Sequence, residues 1–284
     1  MKSICIKSNN SKITNYLLNK FENSNLNETY ISIKEFKHYN NIILHCSKKQ
    51  IILFTNIVSN IITKCIIDFY EKNLINNFIN LNYFYFNALE RNKIIYNTLD
   101  VLNDSENSNI KYDLINNSLF KHFENSHSLY LSSFVDFKLR DYIGFLNDKI
   151  DFAVNKFLID KEYLEFVNIL RLYISSESTN STTKHLHLIY KNKESILTND
   201  NKEIISCNDN ITKAKYISDI SFSSNDLALN TLLNLLPKRI TIHLTDGYVD
   251  EFITTLKLVF QERVIICQEC DICNIYKSKK SELK

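Results

Sequence analysis

Residues 239–273 read RITIHLTDGYVDEFITTLKLVFQERVIICQECDIC, and this stretch decides the fold. Arg239–Thr245 alternates strictly, with Ile240, Ile242 and Leu244 on one face and Thr241, His243 and Thr245 on the other, the period of a strand. Asp246-Gly247 is a turn signal. From about Val249 to Arg263 the period lengthens to that of a helix burying Phe252, Ile253, Leu256, Val259 and Phe260. Asp250 and Glu251 at its start and Arg263 at its end match the helix dipole. Val264–Cys267 reads as a last strand. Strand, helix, strand predicts a parallel β-α-β crossover, and it runs directly into Cys267-x-x-Cys270-x-x-Cys273.

Upstream of this unit, Ser223-x-x-Asp226 resembles a capping box opening a helix that Pro237 closes. His185–Tyr190, Ser195–Thr198 and Glu203–Cys207 read as short strands, and Ser175–Thr183 (SSESTNSTT) as a linker. Before the linker the pattern is helical. Ile51, Phe54, Val58, Ile61, Ile62, Cys65, Ile66 and Phe69 mark one long helix, and Leu74–Leu102 continues helical through the aromatic cluster Tyr83–Phe86. Further helices are predicted over 111–124, 129–147, 148–159 and 161–175, with Asp160 as the cap of the last. Residues 1–48 alternate between strand and helix signals. The expectation is an α+β protein: a small N-terminal α/β unit (1–48), a central helical bundle (49–176), and a C-terminal α/β domain (184–276). That domain ends in a cysteine knuckle, followed by a Lys-rich tail (277–284).

Composition bounds the function. The 284 residues suggest about two domains. Thirty-four Lys and Arg against 32 Asp and Glu leave +2, too balanced to argue for nucleic acid or an anionic membrane by charge alone. Two glycines and one proline exclude phosphate-cradling loops, dinucleotide fingerprints and nucleophile elbows, which need glycine clusters. Gln50–Thr63, the longest uncharged apolar stretch, is too short for a span of roughly 18–20 residues, so no transmembrane segment is predicted. Seven cysteines behind a start lacking an apolar leader point to a reducing compartment, and the expected location is the cytoplasm.

The cysteine triplet is the chemical constellation that stands out. Thiolates at this spacing can supply three corners of a tetrahedral metal site. Cys207 and His243 are the candidates for a fourth, with Cys5 and Cys46 behind them. Zinc is the leading cofactor among metals, an iron–sulfur cluster ranks lower for want of a closing Cys-Pro, and the single bland reading is cysteines packed as small apolar groups with no cofactor. His185 and His187 share a strand face but read as exposed strand residues. Arg140, Lys161, Glu162, Glu165 and Arg171 read as a structural ion-pair network, and Tyr83–Phe86 as a buried helix junction. No catalytic residues are assigned, and an enzyme is not the expectation.

An ordered set of motifs carries a resemblance. Asn82-Tyr83-Phe84-Tyr85-Phe86 is followed by Phe134-x-x-Phe137-Lys138-Leu139-x-x-Tyr142 and Lys161-Glu162-Tyr163-x-Glu165-Phe166. Asp226-Leu227 then leads to Leu236-Pro237 and the strand ending in His243, and Thr255-Leu256-Lys257-x-x-Phe260 leads into the triplet. Over roughly residues 80–275 the chain resembles the YtxC-like family of sporulation-associated proteins of endospore-forming Firmicutes, departing from it at Gln268 and Glu269, where a glycine often precedes the second cysteine. The resemblance implies a cytoplasmic, sporulation-associated protein and carries no activity or ligand set. The combined expectation is a binding or scaffold protein with a metal-tied C-terminal domain and an unidentified protein partner. Its rivals are a nucleic-acid-binding protein and an iron–sulfur or thiol redox protein.

Overall fold

The computed structural model describes residues 2–24, 29–47, 50–177, 184–205 and 223–278. The chain forms two compact units, Met1–Ile159 and Asp160–Lys284.

In the first unit β1 (Lys2–Ser8), α1 (Ser11–Glu22), β2 (Tyr30–Glu35) and β3 (Asn40–Cys46) precede the long helix α2 (Ile51–Asn82). Then come α3 (Ala88–Leu102), α4 (Ser105–Asn125), β4 (Ser128–Tyr130), α5 (Leu131–Lys138) and the opening of α6 (Arg140–Glu177). The sheet runs β2-β3-β1-β4, with β4 parallel to β1 and the other pairs antiparallel. Alternation along β1 and β3 turns Ile4, Ile6, Ile42 and Leu44 inward, onto Leu17 and Phe21 of α1 and Phe54, Val58, Ile62 and Ile66 of α2. The N-terminal sheet thus shares one core with α1 and the first half of α2, while Ile94, Ile95 and Leu102 of α3 pack in a second with Ile75 and Ile79 of α2 and Leu146 and Ile150 of α6. By length and composition alone α2 would reach across a membrane, since the apolar pattern of Gln50–Thr63 resumes after Lys64 with Cys65, Ile66 and Ile67; ten of its side chains are buried within the protein.

Several helical readings are corrected. The run predicted over 74–102 breaks at Tyr83–Asn87, because Asn87 accepts the amides of Leu89 and Glu90 while Glu90 reaches back to the Asn87 amide. The aromatic cluster therefore lies on a loop and is split: Phe86 is buried, whereas Phe84 and Tyr85 are 72% and 62% exposed. Leu129 and Tyr130, the start of the helix predicted over 129–147, belong with Ser128 to an edge strand beside β1. The helices predicted over 148–159 and 161–175 are one, since α6 runs unbroken through Asp160. Asp160 favours a cap but cannot impose one, and no glycine or proline between Phe145 and Glu177 stops propagation.

One polar cluster lies deep in this unit. The Lys111 ammonium donates to Glu71 Oε1 at 2.9 Å and to Asn103 Oδ1 at 3.3 Å, and the fully buried Tyr142 hydroxyl donates to Glu71 Oε2 at 2.8 Å. Burial, together with the Glu71 carboxylate, pushes the Tyr142 phenol far above its ordinary value.

The second unit contains β5 (His185–Lys191), β6 (Glu194–Thr198), α7 (Ser224–Leu235), β7 (Arg239–Leu244), α8 (Glu251–Phe260), β8 (Val264–Ile266) and α9 (Asp271–Ser278). Its sheet runs β6-β5-β7-β8; β5 and β6 form an antiparallel hairpin, and β7 lies parallel to both β5 and β8. The predicted β-α-β crossover is β7-α8-β8. Asn192 and Lys193, at φ 51° and 65°, make the left-handed hairpin turn that the strands' twist demands. Leu186, Leu188, Ile240 and Ile242 point from one sheet face into a core with Leu232, Ile253, Leu256 and Phe260, joined by Val167 and Ile174 of α6. Of the strand predicted over Glu203–Cys207, an isolated bridge between Thr198 and Ile204 is present, and Cys207 lies outside the described residues. The tail beyond Ser278 lies outside them too. Helix α9 takes the place of a simple knuckle after the second cysteine.

Candidate metal centre

The same alternation that buries Ile240 and Ile242 sends Thr241 and His243 to the opposite sheet face. Parallel pairing sets Ile189 level with His243 and Thr241 level with Ile265, so two residues further His243 and Cys267 fall side by side on that face. The Cys267 amide continues the ladder by donating to the Ile242 carbonyl at 2.8 Å. The chain then turns, and Cys270 becomes the residue before α9, its carbonyl accepting from the Asn274 amide at 3.1 Å. One turn into that helix, Cys273 is returned to the sheet.

Four donor atoms converge as a result. His243 Nδ1 stands 3.3 Å from both Cys270 Sγ and Cys273 Sγ, Cys270 and Cys273 are 3.8 Å apart, and Cys273 and Cys267 are 3.9 Å apart. All four lie within 4.8 Å of one another, with His243 and Cys273 buried. Bonds of about 2.3 Å to sulfur and about 2.0 Å to nitrogen at tetrahedral angles place ligand atoms about 3.8 Å apart for two sulfurs and about 3.5 Å for sulfur and nitrogen. These four separations match that tetrahedron and the remaining two lie within 4.8 Å, so the residues fit a single soft divalent ion.

Electrostatics agree with a site built from electron-pair donors. Burial, reinforced by the two neighbouring sulfurs, pushes the Cys267 thiol up to about 12. Burial, the largest single influence, acts the same way on Cys270, but the backbone amides of Cys273 and Ile272 at the start of α9 and the two neighbouring sulfurs together outweigh it and hold this thiol below its ordinary value. Burial, then the nearby His187 and His185, lower His243 to about 4, keeping it a neutral ligand.

A second cluster abuts the first. His187 Nδ1 lies 2.9 Å from His243 Nε2, and His187 Nε2 lies 3.2 Å from Asp200 Oδ1. His185 Nδ1 is 2.7 Å from the same carboxylate oxygen, and its Nε2 is 2.9 Å from the Thr241 hydroxyl. Asp200 sits in the turn after β6, pinned by Asn199, whose Oδ1 accepts the amides of Asn201 and Glu203 at 3.0 Å each. This end faces a cleft of about 490 Å³ lined by His185, Asp200, Asn201 and Leu235. His185 and His187 share their strand face as the two-residue period requires. They are nevertheless only 24% and 14% exposed at the side chain and are hydrogen-bonded, which corrects the reading of exposed strand residues.

Of the residues singled out from sequence, His243, Cys267, Cys270 and Cys273 are brought together. Cys5 and Cys46 belong to the sheet of the first unit, Cys46 within its core. No disulfide joins the described cysteines. Lys161 and Glu165 form an exposed i,i+4 pair at 4.0 Å, and Arg171 donates to the Leu258 carbonyl at 2.7 Å. Thr241 shares the strand face of His243 that the alternation predicts, whereas Asp200 is a site residue that the sequence does not signal. Asp200 comes into place through a turn and a hairpin, and nothing in its local spacing marks it.

No curated protein and no solved structure matches the chain. The YtxC-like family matches residues 56–265, which include His185, His187, Asp200 and His243 and end two positions before Cys267. The thiols therefore stand on their spacing and their geometry, outside the family match. A match over so much of the sequence identifies it, and the chain belongs to the YtxC-like family.

Proposed function

We propose that this is a cytoplasmic, sporulation-associated binding or scaffold protein whose second unit is tied by one zinc ion on His243, Cys267, Cys270 and Cys273. The observation that carries the reading is the four-donor set with tetrahedral spacing. Four protein ligands leave no position for water or substrate, which is the arrangement of structural rather than catalytic zinc. The ion would join the end of β7 to the turn after β8 and to α9, fixing the crossover. A partner surface on the helices fits a sequence in which no catalytic motif is read. The sulfur spacing disfavours a [4Fe–4S] cluster, which binds each thiolate to a different iron and spreads them beyond such close approach.

The test is elemental analysis of untagged full-length protein, with the expected result of one zinc per chain, falling to none in Cys270→Ser/Cys273→Ser. Protein that contains no metal, takes up none, and unfolds at the same temperature with and without added zinc would refute the reading. One observation favours the nucleic-acid alternative: the neighbouring exposed rings of Phe84 and Tyr85 could stack on bases. Retention of single-stranded DNA that weakens steeply with salt and is lost in Phe84→Ala/Tyr85→Ala would bear it out.

A further inference from the structure

The outer cluster His185, His187 and Asp200 offers three ligand atoms within 4.8 Å of one another and could be read as a second cation site. Proton bookkeeping argues otherwise. An imidazole that binds a metal through Nδ1 carries its proton on Nε2 and donates it to a second partner. In His243, Nδ1 faces the sulfurs and Nε2 faces His187 Nδ1. His187 Nδ1 must then be the acceptor, which puts the His187 proton on Nε2, directed at Asp200. The Asp200 carboxylate accepts that proton and a second one from His185 Nδ1, and His185 Nε2 accepts from the Thr241 hydroxyl. Every donor meets an acceptor. Run in reverse, the chain fails: a His187 Nδ1–H would force the neutral His243 to carry its proton on Nδ1, against the thiols. His187 Nε2 would then aim a lone pair at a carboxylate.

Resting on the reading of the inner four-donor centre, we propose that His187 and Asp200 are positioning residues that hold His243 in the tautomer whose Nδ1 is free for the metal. His187 Nε2 cannot both donate to Asp200 and give its lone pair to an ion. The outer cluster therefore closes to a second cation while the inner centre is loaded. The two clusters are one wired unit crossing the sheet from β5 to β7, with its outer end at the cleft beside Asp200.

The experiment is cobalt(II) titration of metal-free full-length protein, followed by visible and thiolate charge-transfer absorption. It is paired with long-range proton–nitrogen correlation of the imidazoles in the zinc-loaded protein. The expected results are one tetrahedral equivalent, His243 with Nε2 protonated, and His187 as the Nε2–H tautomer. His187→Phe weakens cobalt binding by about 10–100-fold. His187→Gln, whose amide oxygen can accept the His243 proton, recovers most of that loss, and Asp200→Asn loses less than His187→Phe. Should His187→Phe fail to fold by circular dichroism, the wild-type tautomers, the Gln variant and the exposed-site Asp200→Asn still decide. A second equivalent of similar affinity, a proton on His243 Nδ1, or variants within twofold of wild type would overturn the proposal while leaving the inner centre standing. A wild-type protein that binds no cobalt removes both.

Discussion

Each unit of this protein buries a polar cluster, and the two are built on opposite principles. Glu71, Lys111 and Tyr142 set a carboxylate between an ammonium and a hydroxyl, so charge and hydrogen bonds are satisfied by the chain itself. His243, Cys267, Cys270 and Cys273 set four electron-pair donors against one another, with no side-chain cation among them. Burying polar groups costs free energy unless each meets its complement. The comparison teaches that a buried polar cluster is not a functional signal by itself. What distinguishes a ligand site is that its atoms share the same chemical demand.

Breaking the self-sufficient centre should have the largest effect. Glu71→Ala leaves the Lys111 ammonium buried without its counter-charge, at an expected cost of about 3–5 kcal/mol by chemical denaturation. The triple variant Glu71→Leu/Lys111→Met/Tyr142→Phe, which removes the whole network together, should recover more than half of that loss. If the triple is as unstable as the single, the cluster contributes more than self-neutralisation.

The donor centre should respond to an added ion instead of to side-chain pairing. Zinc held at 100 times its dissociation constant should stabilise the second unit by about 2.7 kcal/mol, reversed by chelator. The unfolding of Met1–Ile159, followed by a probe within it, should not move. Equal shifts in both probes would erase the contrast between the units.

A smaller effect tests whether ordinary contacts hold the second unit as firmly as the proposed metal would. Asp250 caps α8, accepting the Ile253 amide at 3.1 Å and the Tyr190 hydroxyl. Burial pushes its carboxyl upward, but the Tyr190 hydroxyl and the backbone amides of Ile253 and Phe252 outweigh it, so the net displacement is downward. Asp250→Ala should cost about 1 kcal/mol. A depressed carboxyl contributes stability that is present above the unfolded value of about 3.9 and is lost as pH falls through its lower folded value. The gap between wild type and Asp250→Asn, small because the group is largely solvated, should therefore close in denaturation curves below about pH 4. A gap that widens on acidification would reverse the assigned direction.

What the sequence made legible is what repeats locally. Arg239–Leu244 reveals a strand by strict alternation, Val249–Arg263 a helix by its apolar stripe, and the triplet a ligand set by spacing; even His243 stands out as the polar residue at a strand end. The illegible parts have other causes. Glu71 meets residues 40 and 71 positions away, a separation that leaves no periodic trace. Asp160 carries a cap preference worth a fraction of the propagation free energy of the helix around it. Cys273 reads as part of a knuckle because the helix on which it rides is only two turns long, too short for Ile272, Ile275 and Tyr276 to mark an apolar stripe. Asp200 is useful only after a hairpin folds it back toward His185 and His187.

The four candidate donors are divided by a crossover: the nitrogen precedes α8 in the chain, and all three sulfurs follow it. A chain with the crossover misthreaded still has its sulfurs close together by local spacing but loses the imidazole. The quartet therefore acts as an inspection of topology, since its geometry can be completed only by a molecule that has wound this segment correctly.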